Sequence, residues 1–305
     1  MLWRALKRTC MALGALVLIS TVISVILTSM FLGQRIEPLP EKMVLVLKLD
    51  QGLVENNSGG GLANLPGMLQ PGSPTVRDIV DSINQAADDK RVKGVVVSMK
   101  GGNYALAHVQ EVRNAVKRLR DAGKFAYVYA PTFGRYGSAL SQYYLASGFD
   151  QIWMQPVGSL SITGPNAETP FVREALGQLG IEPLFFKRED FKTAAETITN
   201  KTMSPENRQM TKRLLGNMTD QMVADIAKAR DMTPKQVRAL VDRGLLTGEA
   251  AKDSGLIDKL SYGDMLVDKV RKRVTGDAED KSLKFVPIGS YVSRIRRDML
   301  DVVPA

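Results

Sequence analysis

Hydrophobic and polar positions follow one another along this chain in three different ways, and each way predicts a different element. Residues 11–33, from Met11-Ala-Leu-Gly to Phe31-Leu-Gly33, run without a charged side chain. A helix needs about 20 apolar residues to span a bilayer, so this run predicts a transmembrane signal anchor. Short apolar runs recur after it, at Met43–Leu49, Val95–Met99, Phe125–Tyr129 and Ile152–Met154. Consecutive rather than alternating apolar residues are the mark of parallel strands covered on both faces. Between the runs, apolar residues return at helical spacing. Val76, Ile79, Val80 and Ile83 follow Thr75 as N-cap, and Val109, Val112, Val116 and Leu119 precede a terminating Gly123. A further helix is predicted from about Ser138 to Ser147. Strand, helix, strand, helix is the signature of a mostly parallel sheet with helices on both faces.

The second half reads as mainly helical. Ser204-Pro205-Glu206 places an N-cap before a proline at the first helical position. Met210, Leu214, Met218, Met222 and Ile226 then mark one face of a long helix, read as core packing rather than a binding groove. Helices over about 233–243 and 262–274 follow. Residues 56–74, with Asn56-Asn-Ser-Gly-Gly-Gly and Gln70-Pro-Gly-Ser-Pro, read as a flexible loop. The expected organisation is a cytosolic N-terminus (1–10), the anchor (11–33), a spacer (34–42), an α/β unit (43–276) and a tail (277–305).

Charge sets the orientation. Arg4, Lys7 and Arg8 precede the uncharged run, and positive residues stay on the cytosolic side. A cleaved signal peptide is the rival reading, but the run is longer than a usual signal core and no Ala-x-Ala site follows it. The body is therefore expected outside the cytoplasm, held at the inner membrane. The formal net charge of +9 is spread over small local clusters, and aromatic residues make up only 6%. No basic stripe interleaved with stacking residues is present, so no nucleic-acid partner is expected. With Cys10 and His108 as the sole cysteine and histidine, a Cys/His zinc site is excluded, and a Ser-His-Asp triad is not expected, since His108 would have to be its base. No metal or organic cofactor is expected.

Hydrolytic chemistry would have to use lysine, carboxylates and backbone groups, which directs attention to Glu182-Pro-Leu-Phe-Phe-Lys-Arg-Glu-Asp-Phe-Lys-Thr-Ala-Ala-Glu-Thr-Ile198. Leu184, Phe185 and Phe186 read as the end of a buried strand, and Phe191-Lys192-Thr193 as the opening of a helix. A lysine serves as a base near neutrality only when its pKa falls from about 10.4 to about 7–8, which burial beside apolar groups achieves. Phe191 together with a covering partner subunit or second unit would desolvate Lys192, fully only once that surface covers the site; Glu189, Asp190 and Glu196 would oppose it by favouring the charged form. Two other stretches complete the chemistry. Gly101-Gly102 follow a parallel strand, where free backbone N–H groups can receive an oxyanion. Ser138 and Ser141 stand at the N-terminus of the next-but-one helix, which favours negative charge.

These residues together resemble the signal peptide peptidase A (protease IV) family, membrane-anchored serine peptidases of the Clp protease/crotonase fold. The resemblance runs from the anchor to about residue 300. It is closest at Gln142-Tyr-Tyr-Leu-Ala-Ser147, Ile152-Trp153, Phe191-Lys-Thr-Ala-Ala-Glu196 and Met203-Ser-Pro-Glu206. It implies that Lys192 is the general base of a serine–lysine dyad, that substrates are apolar cleaved signal peptides, and that copies assemble into a homo-oligomeric ring. One departure stands out. The family's nucleophilic serine lies three residues before the Tyr-Tyr pair, where this chain has Leu140. Long family members carry two tandem units, lysine in the first and serine in the second, and this chain resembles the first. On that reading Gly101-Gly102 are a vestigial oxyanion turn. The alternatives are a non-catalytic scaffold or interaction unit without a nucleophile in cis, and a crotonase-like acyl-CoA enzyme.

Overall fold

The structure is a computed structural model that describes residues 2–32, 38–55, 74–134 and 137–301. It falls into two compact units, residues 1–40 and 41–305. The first holds a single helix, α1 (Leu2–Leu32). Within it Ser20 Oγ and Thr21 Oγ1 donate to the Val17 carbonyl at 2.9 and 2.7 Å, so these hydroxyls are satisfied by the helix itself. Among the described residues no helix is long and apolar enough to cross a membrane. The span expected over 11–33 is therefore not shown.

The second unit runs β1 (Met43–Gly52), α2 (Val76–Asp88), β2 (Val92–Asn103), α3 (Leu106–Asp121), β3 (Phe125–Ala130), α4 (Leu140–Ala146), β4 (Gln151–Met154) and β5 (Ser159–Ser161). It continues with α5 (Arg173–Gln178), α6 (Glu196–Thr199), α7 (Pro205–Ala229), α8 (Pro234–Arg243), β6 (Leu245–Thr247), α9 (Gly248–Asp253) and β7 (Lys259–Leu260). α10 (Gly263–Thr275), β8 (Lys284–Pro287) and α11 (Ile288–Asp301) complete it. Six strands form one sheet in the order β7-β4-β3-β2-β1-β8, and every pairing is parallel. β5 and β6 make a separate antiparallel pair. The loop expected over 56–74 lies outside the described residues except for its last residue.

Local signals in the sequence are honoured where they concern caps. Thr75 and Asp78 form a capping box, and Ser204 and Thr233 accept from the N–H three residues on, each with proline next in the chain. The strands differ from expectation in length and cover. Along β1 burial is complete from Met43 to Leu45, but beyond it Lys48 and Asp50 are exposed on the face opposite Leu47 and Leu49. Coverage on that second face comes from α10, whose Leu266 and Val270 pack on Val44, Phe125, Tyr127 and Trp153. Val96 and Tyr129 pack partly buried against the same cluster, with Gly263 at the start of α10 lying against the Tyr129 ring. Residues 284–287, expected in a tail, join the sheet as β8 beside β1, Val44 facing Phe285 in register. Lys284 and Pro287 at its two ends interrupt the apolar run by which the other strands are read, so β8 leaves little local mark.

Close strand approach is decided at Gly94, which stands opposite Phe125. A Cβ there would lie 2.5 Å from the Phe125 carbonyl oxygen and 2.6 Å from its ring. The carbonyl belongs to the neighbouring strand and cannot rotate away, so Gly94→Ala must push β2 from β3. Overpacking of this kind costs roughly 1–3 kcal/mol. A fall in the urea midpoint at unchanged slope is the expected result; a midpoint equal to the parent's would show that the strands give way freely.

Candidate active site

The C-terminal ends of parallel strands are where open α/β sheets bind ligands, and here β2 and α4 meet at such an edge. β2 does not turn after Met99 as expected: it continues to Asn103, pairing Gln51 with Gly101 and Gly52 with Asn103. Gly102 is thereby left opposite no β1 residue, a bulge at φ 132, in backbone territory that favours glycine. Gly101 and Gly102 are thus an exposed bulged strand end rather than a free turn. Gln142 of α4, itself buried, donates from Nε2 to the Lys100 carbonyl at 2.6 Å and fixes the helix beside this bulge.

α4 is shorter than predicted, because its N-terminal approach is held by β5. Ala139 donates to the Ser161 carbonyl at 2.6 Å, and Phe133 exchanges backbone bonds of 2.9 Å with Ser159 and Ser161. Arg135 and Tyr136 lie outside the described residues. Leu140 opens the helix with 2% of its surface exposed. Its neighbours are occupied elsewhere: Ser138 Oγ donates to the Thr163 carbonyl and accepts from the Leu140 N–H at 3.2 Å, while Ser141 Oγ faces Met222 Sδ at 3.9 Å. Both serines therefore act as the cap-like and packed residues that their types suggest.

Each polar residue of Gln142-Tyr-Tyr-Leu-Ala-Ser147 has a tie to a different element. Tyr143 donates to the Leu256 carbonyl at 2.7 Å, and Tyr144 to Asp225 Oδ2 of α7 at 2.5 Å. Burial, reinforced by the Asp225 carboxylate, pushes the Tyr144 phenol up to about 12. Arg113 of α3 lies over the Tyr144 ring, 4.2 Å from its centroid, and donates to the Tyr144 carbonyl and to Ser147 Oγ at 2.7 Å. The stretch is conspicuous in the sequence because it is a junction of α3, α4, α7 and β2. Asp225 and Arg113 were not legible beforehand, since their partners are 81 and 31 residues away.

Lys192 sits apart from this junction. No strand forms over 184–186 and no helix opens at Lys192: residues 181–187 are irregular, and the helix α6 begins only at Glu196. Leu184, Phe185, Phe186 and Phe191 are 83, 55, 95 and 52% exposed, and Lys192 is exposed as well. The expected burial is thus not supplied by this chain's own residues. What surrounds Lys192 is an open cavity of about 610 Å³ whose walls include Phe185, Phe186, Phe191, Lys187 and Arg188. Gly101, Gly102, Ser138 and Ser141 are not among its lining residues. A tight corner precedes the lysine, with Glu189 in the left-handed region at φ 74 and the Lys192 N–H 3.4 Å from its carbonyl.

Glu196 behaves differently from the sequence expectation. Rather than facing Lys192, its carboxylate is buried against the start of α7 and accepts from Ser204 Oγ (2.7 Å), Ser204 N (3.3 Å) and Asn207 Nδ2 (3.0 Å). Burial alone would raise its pKa, but the hydrogen bonds from Ser204 and Asn207 outweigh burial and hold it below the usual carboxylate range. Two of the resembling stretches, Phe191–Glu196 and Met203–Glu206, are joined by these bonds. Among the described residues no group of three or more His, Cys, Asp or Glu side chains is placed to hold a metal ion.

A parallel sheet, a glycine bulge at its C-terminal edge, a helix start beside that bulge and a lysine on a projecting segment define an α/β unit of the kind found in hydrolases. The chain belongs to peptidase family S49, whose pattern matches residues 118–276. It is 27% identical over 278 residues to Protease 4 of Haemophilus influenzae, covering 86% of this chain and 44% of that protein. To Protease 4 of Salmonella typhi it is 29% identical over 196 residues, 60% of this chain and 30% of the other. A putative signal peptide peptidase SppA of Enterococcus faecium is 22% identical over 199 residues, 64% and 55% of the respective chains. The matched part of this chain thus spans less than half of either Protease 4. Among solved structures, a membrane-bound stomatin-specific protease superposes at a TM-score of 0.45 and 11% identity, covering 81% of this chain and 99% of that one.

Proposed function

We propose that this chain is the lysine-bearing unit of a serine peptidase of the signal peptide peptidase type, acting on apolar peptides such as cleaved signal peptides. Lys192 is the general base, and the serine comes from outside the stretch that corresponds to it here. The observation that carries this reading is the pairing of two facts within an S49 chain: Leu140 fills the family's serine position as a buried packing residue, while Lys192 stands exposed on an aromatic cavity wall. A covering surface would bury Phe185, Phe186 and Phe191 and desolvate the lysine at the same time, which favours its neutral form.

The reaction then follows ordinary acyl transfer. Neutral Lys192 Nζ takes the serine proton as Oγ attacks the scissile carbonyl, and the resulting ammonium returns the proton to the leaving amine. Water, deprotonated by the same lysine, releases the acyl group. Backbone N–H groups receive the oxyanion beside the serine; Gly101 and Gly102 are the corresponding vestigial strand end in this unit. No metal or organic cofactor enters. The uncharged run 11–33 would anchor the chain in the inner membrane with its body on the extracytoplasmic side. The self-satisfied Ser20 and Thr21 hydroxyls suit such a setting. Copies are expected to assemble as a homo-oligomeric ring.

The test is covalent. A serine-directed fluorophosphonate applied to the complete protein is expected to leave Ser138 and Ser141 unmodified, because one hydroxyl is committed to Thr163 and Leu140 and the other to Met222. Peptide mass spectrometry reads the outcome. A stoichiometric adduct on either serine would make this unit a self-contained enzyme and overturn the divided dyad. A non-catalytic scaffold is the second reading, favoured by the exposure of Lys192; substitution of that lysine separates the two.

A further inference from the structure

Between Ile162 and Met222 a single residue is buried, and it is a carboxylate. A projecting segment of this length usually rests on apolar anchors, yet here Leu179, Leu184 and Phe186 are all more than 70% exposed. Order in the segment therefore depends on polar contacts, and the buried side chain among them is Glu196. Its two oxygens accept three hydrogen bonds from Ser204 and Asn207, and hydrogen bonds to a charged acceptor are about twice as strong as neutral ones. Ser204 is meanwhile the N-cap of α7 and accepts from the Asn207 N–H at 3.1 Å. The carboxylate thus lies at the positive end of a 25-residue helix. Backward along the chain, the Glu196 N–H donates to the Thr193 carbonyl at 3.0 Å, one residue beyond Lys192.

We propose that Glu196 is a positioning residue for the Lys192 turn: a buried carboxylate latch that fixes the turn to the N-terminus of α7. This rests on the reading of Lys192 as the base. A lysine on an exposed turn samples many positions, and a base displaced by about an ångström loses much of its rate. Glu196 holds one end of the turn to a rigid helix, so the lysine is presented in one place before any covering surface arrives.

Asn207→Asp is the informative substitution. It sets a second carboxylate against Glu196, replacing a donor by a like-charged acceptor. Yet aspartate at the third helical position favours the helix dipole and leaves α7 intact. Glu196→Gln/Asn207→Asp restores a donor–acceptor pair with the roles exchanged. Trypsin reads the latch without reference to peptidase activity, since Lys187, Arg188 and Lys192 are its cleavage sites within the turn. The Asn207→Asp chain should be cut there at least about tenfold faster than the parent, and the double variant should return towards the parent rate. In the complete protein, kcat for an apolar peptide should fall by about tenfold or more in Asn207→Asp at little changed KM, and recover in the double variant. Unchanged tryptic rates, or faster cutting with undiminished kcat, would overturn the proposal, as would a double variant no better than the single. Full hydrolysis by a Lys192→Ala protein would sink the lysine reading instead, and the tryptic rates would still report the latch.

Discussion

Lys192→Arg is expected to be as inactive as Lys192→Ala in the complete protein, with hydrolysis of an apolar peptide falling by roughly 10²–10⁴. The two substitutions separate charge from proton transfer. Arginine keeps a cation on the same wall of the cavity, beside Phe185, Phe186 and Phe191, and its long stem covers the same apolar surface. What it cannot do is give up its proton, because its pKa exceeds about 12. A group that merely attracts a peptide's negative end would work nearly as well as arginine. Because Lys192 is exposed in this chain, neither variant should shift the melting temperature of this chain by itself appreciably, so its thermal melting serves as the folding control. Turnover by Lys192→Arg within a few fold of the parent would mean that the lysine supplies only charge. Turnover by Lys192→Ala would favour the scaffold reading.

Leu140→Ser, which writes the family's serine into this unit, is expected to cost stability rather than to create an enzyme. Leu140 begins α4 with 2% exposure, and truncating a buried leucine costs about 2–5 kcal/mol through lost burial and the cavity left behind. The new hydroxyl adds roughly 1–3 kcal/mol if it finds no partner, and the nearest polar groups are already engaged. Ser138 is bound to Thr163, Gln142 to Lys100. Lys192 does not line its surroundings, since the cavity around the lysine is walled by its own segment. Urea denaturation should therefore show a stability loss of several kcal/mol, and the isolated variant should not hydrolyse an apolar peptide. Peptide hydrolysis by Leu140→Ser alone would show that Lys192 reaches the α4 N-terminus within one unit.

The parts of the fold visible in the sequence are those that one segment specifies by itself. Apolar runs mark β1 to β4, and Thr75 and Ser204 mark two helix starts, because hydrophobic period and capping act over a few residues. β7 and β8 have two and four residues, too few for a period; they are strands only because β4 and β1 offer parallel edges. The candidate site divides in the same way. Lys192 is singled out by resemblance, but the stretch before it differs from its sequence reading: Leu184, Phe185 and Phe186 read as a buried strand end and are exposed.

Sequence alone determined the alternation of strand and helix, the caps at Thr75 and Ser204, and the single histidine and single cysteine, since all of these are matters of residue type and local spacing. Tertiary structure alone decided that Gly102 bulges from a continuing strand and that the Tyr-Tyr stretch is a junction with Arg113 and Asp225. It also decided that Glu196 turns to Ser204 and Asn207 instead of facing Lys192. A carboxylate four residues from a lysine has two possible destinies, partner or bystander. Which one it meets depends on whether another element brings donors to it, and here the start of α7 brings three.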